Sequence, residues 1–217
     1  QTLAVLGRTG SGKSTIAALI ARLYDVTSGA IFIDDKPIKE INLDSLRESI
    51  GFVPQDAFLF SDTIKDNIKI GNQEATDQEV EQAAKSAYIY HNIIEFNEKF
   101  DTLVGERGVT LSGGQKQRIS IARALISNPE ILIFDDCLSA VDTETEEIIL
   151  QNLNEATKGK TTIIISHRAS SVKNADQIIV LDEGKIVEAG THTELIERAG
   201  YYQDIYNQQL EEKLTNH

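Results

Sequence analysis

Five short apolar runs recur along the chain, and segments with helical periodicity or turn residues separate them. The runs cover residues 2–6, 50–53, 131–134, 161–165 and 177–182. Runs of this length predict buried strands, and strands that alternate with helices pack as a mostly parallel sheet covered by helices. The pattern therefore predicts an α/β fold.

The residues after the first run predict one helix and one small β-excursion. A helix over Ser14 to Leu23 would pack one apolar face against the sheet, and that face consists of Ile16, Leu19, Ile20 and Leu23. Residues 30–37 end in a turn sequence and predict a short antiparallel β-excursion outside the main sheet.

The middle of the chain carries helix start and stop signals in place of strand signals. These include a capping box at 76–79, Gly71 at the end of the preceding helix, and a last helix from about Ser112 to before Pro129. The sequence therefore predicts a helical subdomain at about 62–126, inserted into a core formed by 1–60 and 127–217.

Similar signals continue toward the C-terminus. Capping boxes at 143–146 and 191–194 predict helices near 144–155 and 193–198, and residues 181–186 predict a hairpin turn. The polar residues after Leu210 predict a frayed tail.

Composition excludes several classes of protein. The 217 residues are 41% hydrophobic and 25% charged, and no apolar run approaches the roughly 18 residues of a membrane helix. The net charge of −13 disfavours a nucleic-acid partner. The single cysteine, Cys137, suits a reducing compartment and is interpreted as a small buried residue. The chain opens inside an apolar run and lacks methionine, so we interpret it as part of a longer polypeptide.

One glycine-rich stretch follows the first predicted strand and opens the first predicted helix. It reads Gly7, Arg8, Thr9, Gly10, Ser11, Gly12, Lys13, Ser14 and Thr15. In this context the stretch predicts a phosphate-binding P-loop, in which backbone N–H groups and the helix N-terminus surround the phosphates. Lys13 would reach the β- and γ-phosphates, and Ser14 would ligate Mg²⁺.

Two further features predict a second part of the site. Asp135 ends the apolar run 131–134, at the sheet edge where parallel strands hold their ligands, and would bind Mg²⁺ through water. The segment 111–115 predicts a second anion site at a helix N-terminus; beyond Leu111 it consists of Ser112, Gly113, Gly114 and Gln115.

Together, the P-loop, LSGGQ at 111–115, Asp135, the segment 139–142 and the segment 166–168 resemble the nucleotide-binding domain of an ATP-binding-cassette (ABC) transporter. The resemblance covers nearly the whole chain. It implies a P-loop NTPase (RecA-like) core that binds ATP and Mg²⁺ and hydrolyses ATP. It also implies a head-to-tail dimer with a second nucleotide-binding domain, which drives transmembrane domains of the same or a partner chain from the cytoplasmic face of the inner membrane.

The resemblance also assigns individual residues. Gln55 matches the glutamine that contacts Mg²⁺ and the attacking water, and His167 matches the switch histidine that contacts the γ-phosphate. Ser139 and Asp142 match a loop at the dimer interface, although Asp142 is equally suited to cap the following helix.

Residues 101–108 resemble a loop by which exporters of this family contact their transmembrane domains, which indicates an exporter of the lipid or multidrug type. The neighbouring residues Phe58, Leu59 and Phe60 are interpreted either as local core or as an apolar docking surface for a partner helix.

The sequence departs from the family pattern at Asp136, where active members carry the glutamate that acts as general base. Loss of one methylene withdraws the carboxylate by about 1 Å, which can lower the rate on the order of 100-fold. The alternative function is therefore an ATP-gated dimerisation module with a slowly hydrolysing site in a heterodimeric exporter.

Two other functions are disfavoured. A cassette ATPase that acts on DNA or ribosomes is disfavoured by the net charge and by the short span between Gln55 and Leu111. A small GTPase is disfavoured because no Asn-Lys-x-Asp motif occurs. In the family, the aromatic residue that stacks on adenine lies well upstream of the P-loop, and only six residues precede Gly7 in this sequence. The resemblance therefore implies that this piece alone binds ATP weakly.

Overall fold

The computed structural model describes residues 1–105 and 108–215, and for residues 212–215 it describes the backbone alone. The strands are β1 (Thr2–Gly7), β2 (Phe32–Ile33), β3 (Lys36–Pro37), β4 (Ile50–Val53), β5 (Ile131–Asp135), β6 (Thr161–Ser166), β7 (Gln177–Asp182) and β8 (Lys185–Gly190). The predicted apolar runs are therefore all strands.

Helices connect these strands, as the alternating pattern predicts. They are α1 (Lys13–Ile20), α2 (Leu43–Glu48), α3 (Ile64–Lys69), α4 (Asp77–Ser86), α5 (Tyr90–Glu95), α6 (Gly113–Ile126), α7 (Thr143–Ala156), α8 (Ala169–Val172), α9 (His192–Glu197) and α10 (Tyr201–Thr215). Short 3-10 helices lie at Ile38–Glu40 and Lys99–Asp101.

Contacts within the chain define two units. The first unit consists of Gln1–Ile50, Ile133–Asp136 and the chain from Thr161 onward, and the second consists of Gly51–Leu132 and Cys137–Lys160. The division of the sequence into a core and an inserted subdomain at 62–126 stays a prediction.

The main sheet has β1 near its centre. Within the described residues the strand order is β4-β5-β6-β1-β7-β8. Strand β1 runs parallel to both β6 and β7, so that Ala4 pairs with Ile164 on one side and with Ile178 on the other. Strands β7 and β8 are antiparallel and form the predicted hairpin. Strands β2 and β3 form a separate two-stranded antiparallel sheet, which confirms the predicted β-excursion.

The core of the first unit lies between the central strands and the C-terminal helices. Strand β1 is apolar on both faces because both are covered, as expected for a parallel strand. The buried cluster consists of Ala4, Leu6, Ala169, Val172, Ile178, Val180, Leu195 and Tyr202.

The second unit is built around α6, which packs against α3 and α4. Its fully buried side chains include Ile64, Ile68, Ile93, Ile119 and Ile149. Gly71 follows the end of α3, as predicted. Glycines at helix ends often adopt a left-handed backbone, but Gly71 does not, so its conformation does not explain why glycine stands there. A Cβ there would lie 2.0 Å from the carbonyl oxygen of Arg123, so close packing against α6 requires glycine.

Three predictions about helices are wrong in detail. Helix α1 ends at Ile20, because Arg22 adopts a left-handed backbone with φ 50°, and Leu23 is exposed rather than packed on the sheet. The capping box expected at 143–146 is wrong because Thr143 is already helical; the N-cap of α7 is Asp142, whose Oδ1 accepts a hydrogen bond from Thr145 N at 2.9 Å, which confirms the cap expected there. The described residues after Leu210 continue α10 to Thr215 instead of fraying, and Asn216 and His217 lie outside the described residues.

Candidate functional site

The loop between β1 and α1 has the backbone shape that its glycines allow. Gly10 and Gly12 adopt left-handed conformations with φ 85° and 99°, which glycine adopts without steric cost. At Gly7 the constraint is space, because a Cβ would lie 2.4 Å from the carbonyl oxygen of Leu181. The loop therefore curls tightly into the start of α1, and its helix N-terminus provides a local positive field for an anion.

Lys13 is the first residue of α1, and its side chain folds back into this loop. The ammonium Nζ donates hydrogen bonds to the carbonyl oxygens of Gly7 and Arg8, both at 2.8 Å. Burial lowers the pKa of Lys13, and the nearby carboxylates of Asp136 and Asp135 oppose this shift. An ammonium has three donors, so the buried cation keeps a donor for a ligand in the loop.

Ser14 lies beside the carboxylate that ends β5. Its Oγ donates a hydrogen bond to Asp135 Oδ1 at 3.0 Å. Hydroxyl and carboxylate oxygens are the donors that Mg²⁺ prefers. Ser14 is therefore placed to bind a magnesium ion directly, with Asp135 beside it to hold the ion through water.

The pKa of the Asp135 carboxyl is raised, and its neighbours act on it in opposite directions. Burial raises the pKa of Asp135, the hydrogen bond from Ser14 lowers it, and the Asp136 charge raises it again. In residues 1–105 and 108–211, no group of three or more His, Cys, Asp or Glu side chains is placed to hold a metal.

Asp136 and His167 form a pair at the ends of neighbouring strands β5 and β6. His167 Nδ1 lies 2.9 and 3.0 Å from the two carboxylate oxygens of Asp136. Asp136 adopts a left-handed backbone with φ 47°, and its N–H donates to the carbonyl oxygen of Ile165 at 2.9 Å. Aspartate tolerates this conformation better than most residues. The sequence predicted both residues, but their contact and the unusual backbone appear only in the structure.

In the second unit, Ser112 caps α6 as predicted. Ser112 Oγ accepts from Gln115 N at 3.2 Å, and Gln115 Oε1 accepts from Ser112 N at 2.9 Å, which forms a capping box. Ser112 and Gly113 are exposed. Gly114 is buried, and a Cβ there would lie 3.0 Å from Val141 Cγ1. The segment therefore presents an exposed helix N-terminus.

A buried glutamine that sequence analysis missed joins two of the predicted loops in the second unit. Gln117 Nε2 donates to the carbonyl oxygen of Gln55 at 3.1 Å, and Gln117 Oε1 accepts from Ala140 N at 3.4 Å. The side chain of Gln55 itself is exposed. A glutamine on the buried face of a helix was the signal that could have identified this contact.

The remaining predicted residues are placed as follows. Cys137 is buried, as expected. Phe58 and Phe60 are 65% and 51% exposed, so the interpretation of these two as local core is wrong. Of the predicted exporter loop 101–108, Glu106 and Arg107 lie outside the described residues.

Comparison with known proteins identifies the class to which this fold and site belong. The family described as ABC transporter matches residues 1–139. The chain belongs to the ABC transporter family.

Individual relatives narrow the comparison. One relative is a Bacillus subtilis (strain 168) protein named "Probable multidrug resistance ABC transporter ATP-binding/permease protein YheI". The two sequences are 53% identical over 209 aligned residues, and the alignment covers 96% of this chain and 36% of the relative. A second relative is the Staphylococcus aureus (strain Mu50) protein named "Putative multidrug export ATP-binding/permease protein SAV1866". It is 52% identical over 207 aligned residues, which cover 95% of this chain and 36% of the relative.

A solved structure agrees with these relatives. A bacterial Atm1-family ABC exporter with ATP bound superimposes with a TM-score of 0.92 at 46% identity, over 96% of this chain and 37% of that one. The chain thus spans little more than a third of the proteins that it matches, and it corresponds to their ATP-binding part. Domains of this kind are generally ATPases.

No helix within residues 1–105 and 108–215 has the length and apolar character needed to cross a bilayer.

Proposed function

We propose that this chain is the ATP-hydrolysing motor domain of an exporter. The observation that carries the proposal is the 3.0 Å contact between Ser14 Oγ and Asp135 Oδ1, next to the buried ammonium of Lys13. A hydroxyl, a carboxylate and a cation beside a helix N-terminus form an arrangement suited to a magnesium nucleotide. The residues from Gly7 to Thr15 would hold the phosphates.

In the proposed reaction, Asp136 is the general base. A water oxygen bonds to the γ-phosphorus, the bond from that phosphorus to the bridging oxygen of ADP breaks, and the water's proton passes to the Asp136 carboxylate. Lys13 neutralises charge on the β- and γ-phosphates. His167 holds the Asp136 carboxylate by its Nδ1 contact, and its other ring nitrogen would face the γ-phosphate.

Mg²⁺ would neutralise phosphate charge and align the two phosphates, with Ser14 as a direct contact, Asp135 holding it through water, and Gln55 as the contact that the family resemblance assigns. The 3.0 Å hydrogen bond between Ser14 and Asp135 supports the first two assignments. Asp136 is one methylene shorter than glutamate, and this supports the alternative in which the site mainly holds ATP and hydrolyses it slowly.

The second half of each site would come from another nucleotide-binding domain. Ser112, Gly113, Gly114 and Gln115 would contact the γ-phosphate of the nucleotide bound to the facing copy, in a head-to-tail homodimer or heterodimer. The exposure of Ser112 and Gly113 at the N-terminus of a 14-residue helix supports this role.

Transmembrane domains are the proposed partner on a different surface. Phe58, Phe60, Leu103 and Val109, here called the apolar patch, are exposed on the second unit. Phe58 and Phe60 pack edge to face at 5.0 Å, and Val109 N donates to the carbonyl oxygen of Leu103 at 2.9 Å. The two pairs lie on segments joined by the hydrogen bond from Val104 N to the carbonyl oxygen of Asp62 at 3.0 Å, and exposed apolar residues on adjoining segments suit the end of a partner helix. The chain would thus lie at the cytoplasmic face of the membrane.

Phosphate release by the full-length transporter in lipid nanodiscs tests the catalytic proposal. Ser14→Ala should lower magnesium-dependent turnover by on the order of 100-fold, whereas Ser28→Ala, at an exposed serine of the same unit, should match wild type. Equal turnover in Ser14→Ala and wild type would overturn the assignment of Ser14.

Cross-linking tests the dimer. Cysteines introduced at Thr9 and Ser112 should form an intermolecular disulfide when ATP and Mg²⁺ are present, whereas cysteines at Ser28 and Ser112 should not. If either cysteine pair cross-links equally well with and without ATP, the head-to-tail arrangement is contradicted.

Loss of the apolar patch tests the membrane partner. The double substitution Phe58→Ser and Phe60→Ser should lower substrate transport at least tenfold, because polar side chains weaken apolar docking. Ile94→Ser, at an exposed isoleucine of the same unit, is the control. Full transport in the double variant would place the partner elsewhere.

A further inference from the structure

Helix α10 is held firmly at its start. Glu188 accepts hydrogen bonds from Tyr201 N at 2.6 Å and from Tyr202 N at 3.0 Å, which caps the helix with a carboxylate. Tyr202 is fully buried in the core of the first unit. The position of α10 is therefore fixed in that unit before the helix reaches its polar second half.

Gln209 lies two turns further along α10 and contacts the backbone on both sides of Arg168. Its Nε2 donates to the carbonyl oxygen of His167 at 3.1 Å, and its Oε1 accepts from Ala169 N at 2.8 Å. A carbonyl requires a donor and an N–H group requires an acceptor, so only one orientation of the amide satisfies both partners.

These bonds complete the turn that carries His167 from β6 into α8. Arg168 N donates to Ser166 Oγ at 2.9 Å, which fixes the beginning of the turn. Helix α8 has no side-chain cap from its own N-cap residue, Arg168. The amide oxygen of Gln209 therefore acts as the cap for Ala169 N, from a helix forty residues further along the chain.

The direction of the His167 ring depends on this turn. Its Nδ1 lies 2.9 Å from Asp136 Oδ1, and a backbone rotation at His167 would move the ring relative to that carboxylate. A shift of about 1 Å at a reacting group can cost on the order of 100-fold in rate. Any group that fixes this backbone therefore affects catalysis without touching the nucleotide.

We infer that Gln209 is a positioning residue for the catalytic site: its side-chain amide holds the backbone on both sides of Arg168 and so keeps His167 against Asp136. The inference rests on the proposed function of His167 in ATP hydrolysis.

The test uses the full-length transporter and the nearly isosteric substitution Gln209→Met, which removes both hydrogen bonds. We expect kcat for ATP hydrolysis to fall about tenfold while KM for ATP stays unchanged, because the phosphate loop is not altered. Gln208→Met, at the exposed neighbouring glutamine on the same helix, is the matched control and should behave as wild type.

Hydrogen exchange gives a second measurement that does not depend on turnover. In Gln209→Met the amide of Ala169 loses its acceptor and should exchange at least tenfold faster, whereas amides of β1 should be unchanged. An unchanged exchange rate at Ala169 would overturn the inference. An equal loss of protection from exchange at β1 would also overturn it, because it would report general unfolding.

His167→Ala separates the two proposals. If His167→Ala hydrolyses ATP as fast as wild type, the proposed role of His167 is wrong and the inference about Gln209 falls with it. If His167→Ala loses turnover but Gln209→Met keeps both its kcat and its slow exchange at Ala169, then only the inference about Gln209 is wrong.

Discussion

Arg123 Nη2 donates a hydrogen bond to Asn67 Oδ1 at 3.1 Å, and both side chains hold the backbone that carries the apolar patch. Arg123 Nη1 donates to the carbonyl oxygen of Phe58 at 3.0 Å, and Asn67 Nδ2 donates to that of Phe60 at 3.0 Å. Arg123 lies on α6 eleven residues after Ser112, or about 16 Å along the helix. One helix thus links the second predicted anion site to the proposed membrane partner.

Substitution of Asn67 should be costly. Asn67 is fully buried and also accepts from Phe60 N at 2.9 Å, so Asn67→Ala leaves several buried polar groups without a partner. We expect a loss of about 2–4 kcal/mol in the free energy of unfolding. Asn97→Ala, at an exposed asparagine of the same unit, should change it by less than about 0.5 kcal/mol. Similar denaturant midpoints for the two variants would show that the network contributes little.

Asp136→Glu should raise ATP turnover by on the order of tenfold in the full-length transporter. The added methylene extends the carboxylate by about 1 Å toward the attacking water. Proton transfer from that water should then be faster, because the base lies within closer reach of it. The matched substitution Asp136→Asn keeps the size but removes the base, and should lower turnover on the order of 100-fold with ATP binding retained. A phosphate-release assay in which Asp136→Glu stays at or below the wild-type rate would count against Asp136 as the base.

Gly7 and Gly29 separate two reasons for glycine within the first unit. An alanine Cβ at position 7 would lie 2.4 Å from a backbone oxygen of Leu181, whereas at Gly29 it meets open space and only the φ of 75° is unfavourable. We expect Gly7→Ala to cost about 2–3 kcal/mol in unfolding free energy and Gly29→Ala about 1 kcal/mol. Thermal unfolding compares them, and equal losses would contradict the steric argument.

Tyr202 should make the chain less stable at alkaline pH. Burial raises the pKa of its phenol from 10.0 to about 12. Between these values the unfolded chain releases the proton and the folded chain keeps it, so this contribution is full below pH 10 and is lost toward pH 12. The loss is about 2–3 kcal/mol.

Tyr202→Phe provides the comparison for this pH dependence. At pH 8 the variant should be less stable by about 1 kcal/mol, because it loses the 2.7 Å hydrogen bond between the Tyr202 hydroxyl and His192 Nδ1. Denaturant titrations at pH 8, 10 and 12 should show that difference shrink and then reverse. A constant difference across this range would mean that the phenol ionises at its ordinary pKa.

The sequence predicted the strands well because each main strand is a continuous apolar run bounded by turn residues. It left the start of α7 open between Asp142 and Thr143, because the two residues are adjacent and both are good caps, so only the structure distinguishes them. The length of α10 was missed because its second half is polar, and its stability comes from Tyr202 and from Glu188, which lies on β8.

Within the site, the residues that would touch ligand were predicted from local motifs, and their supports were not. Lys13, Ser14 and Asp135 belong to short patterns with a known physical purpose. Gln209 reaches the His167 backbone across 42 positions, and Gln117 reaches Gln55 across 62. A polar residue on an apolar helix face, such as Gln117, signals that a partner exists, but which backbone group it binds depends on tertiary packing.

The ammonium of Lys13 is held by the carbonyls of Gly7 and Arg8. A phosphate bound in this loop would use the third donor of a cation whose rotamer is already set, so that little side-chain entropy would remain to be lost on binding. The hydrogen bonds of Lys13 thus preorganise the loop for an anion.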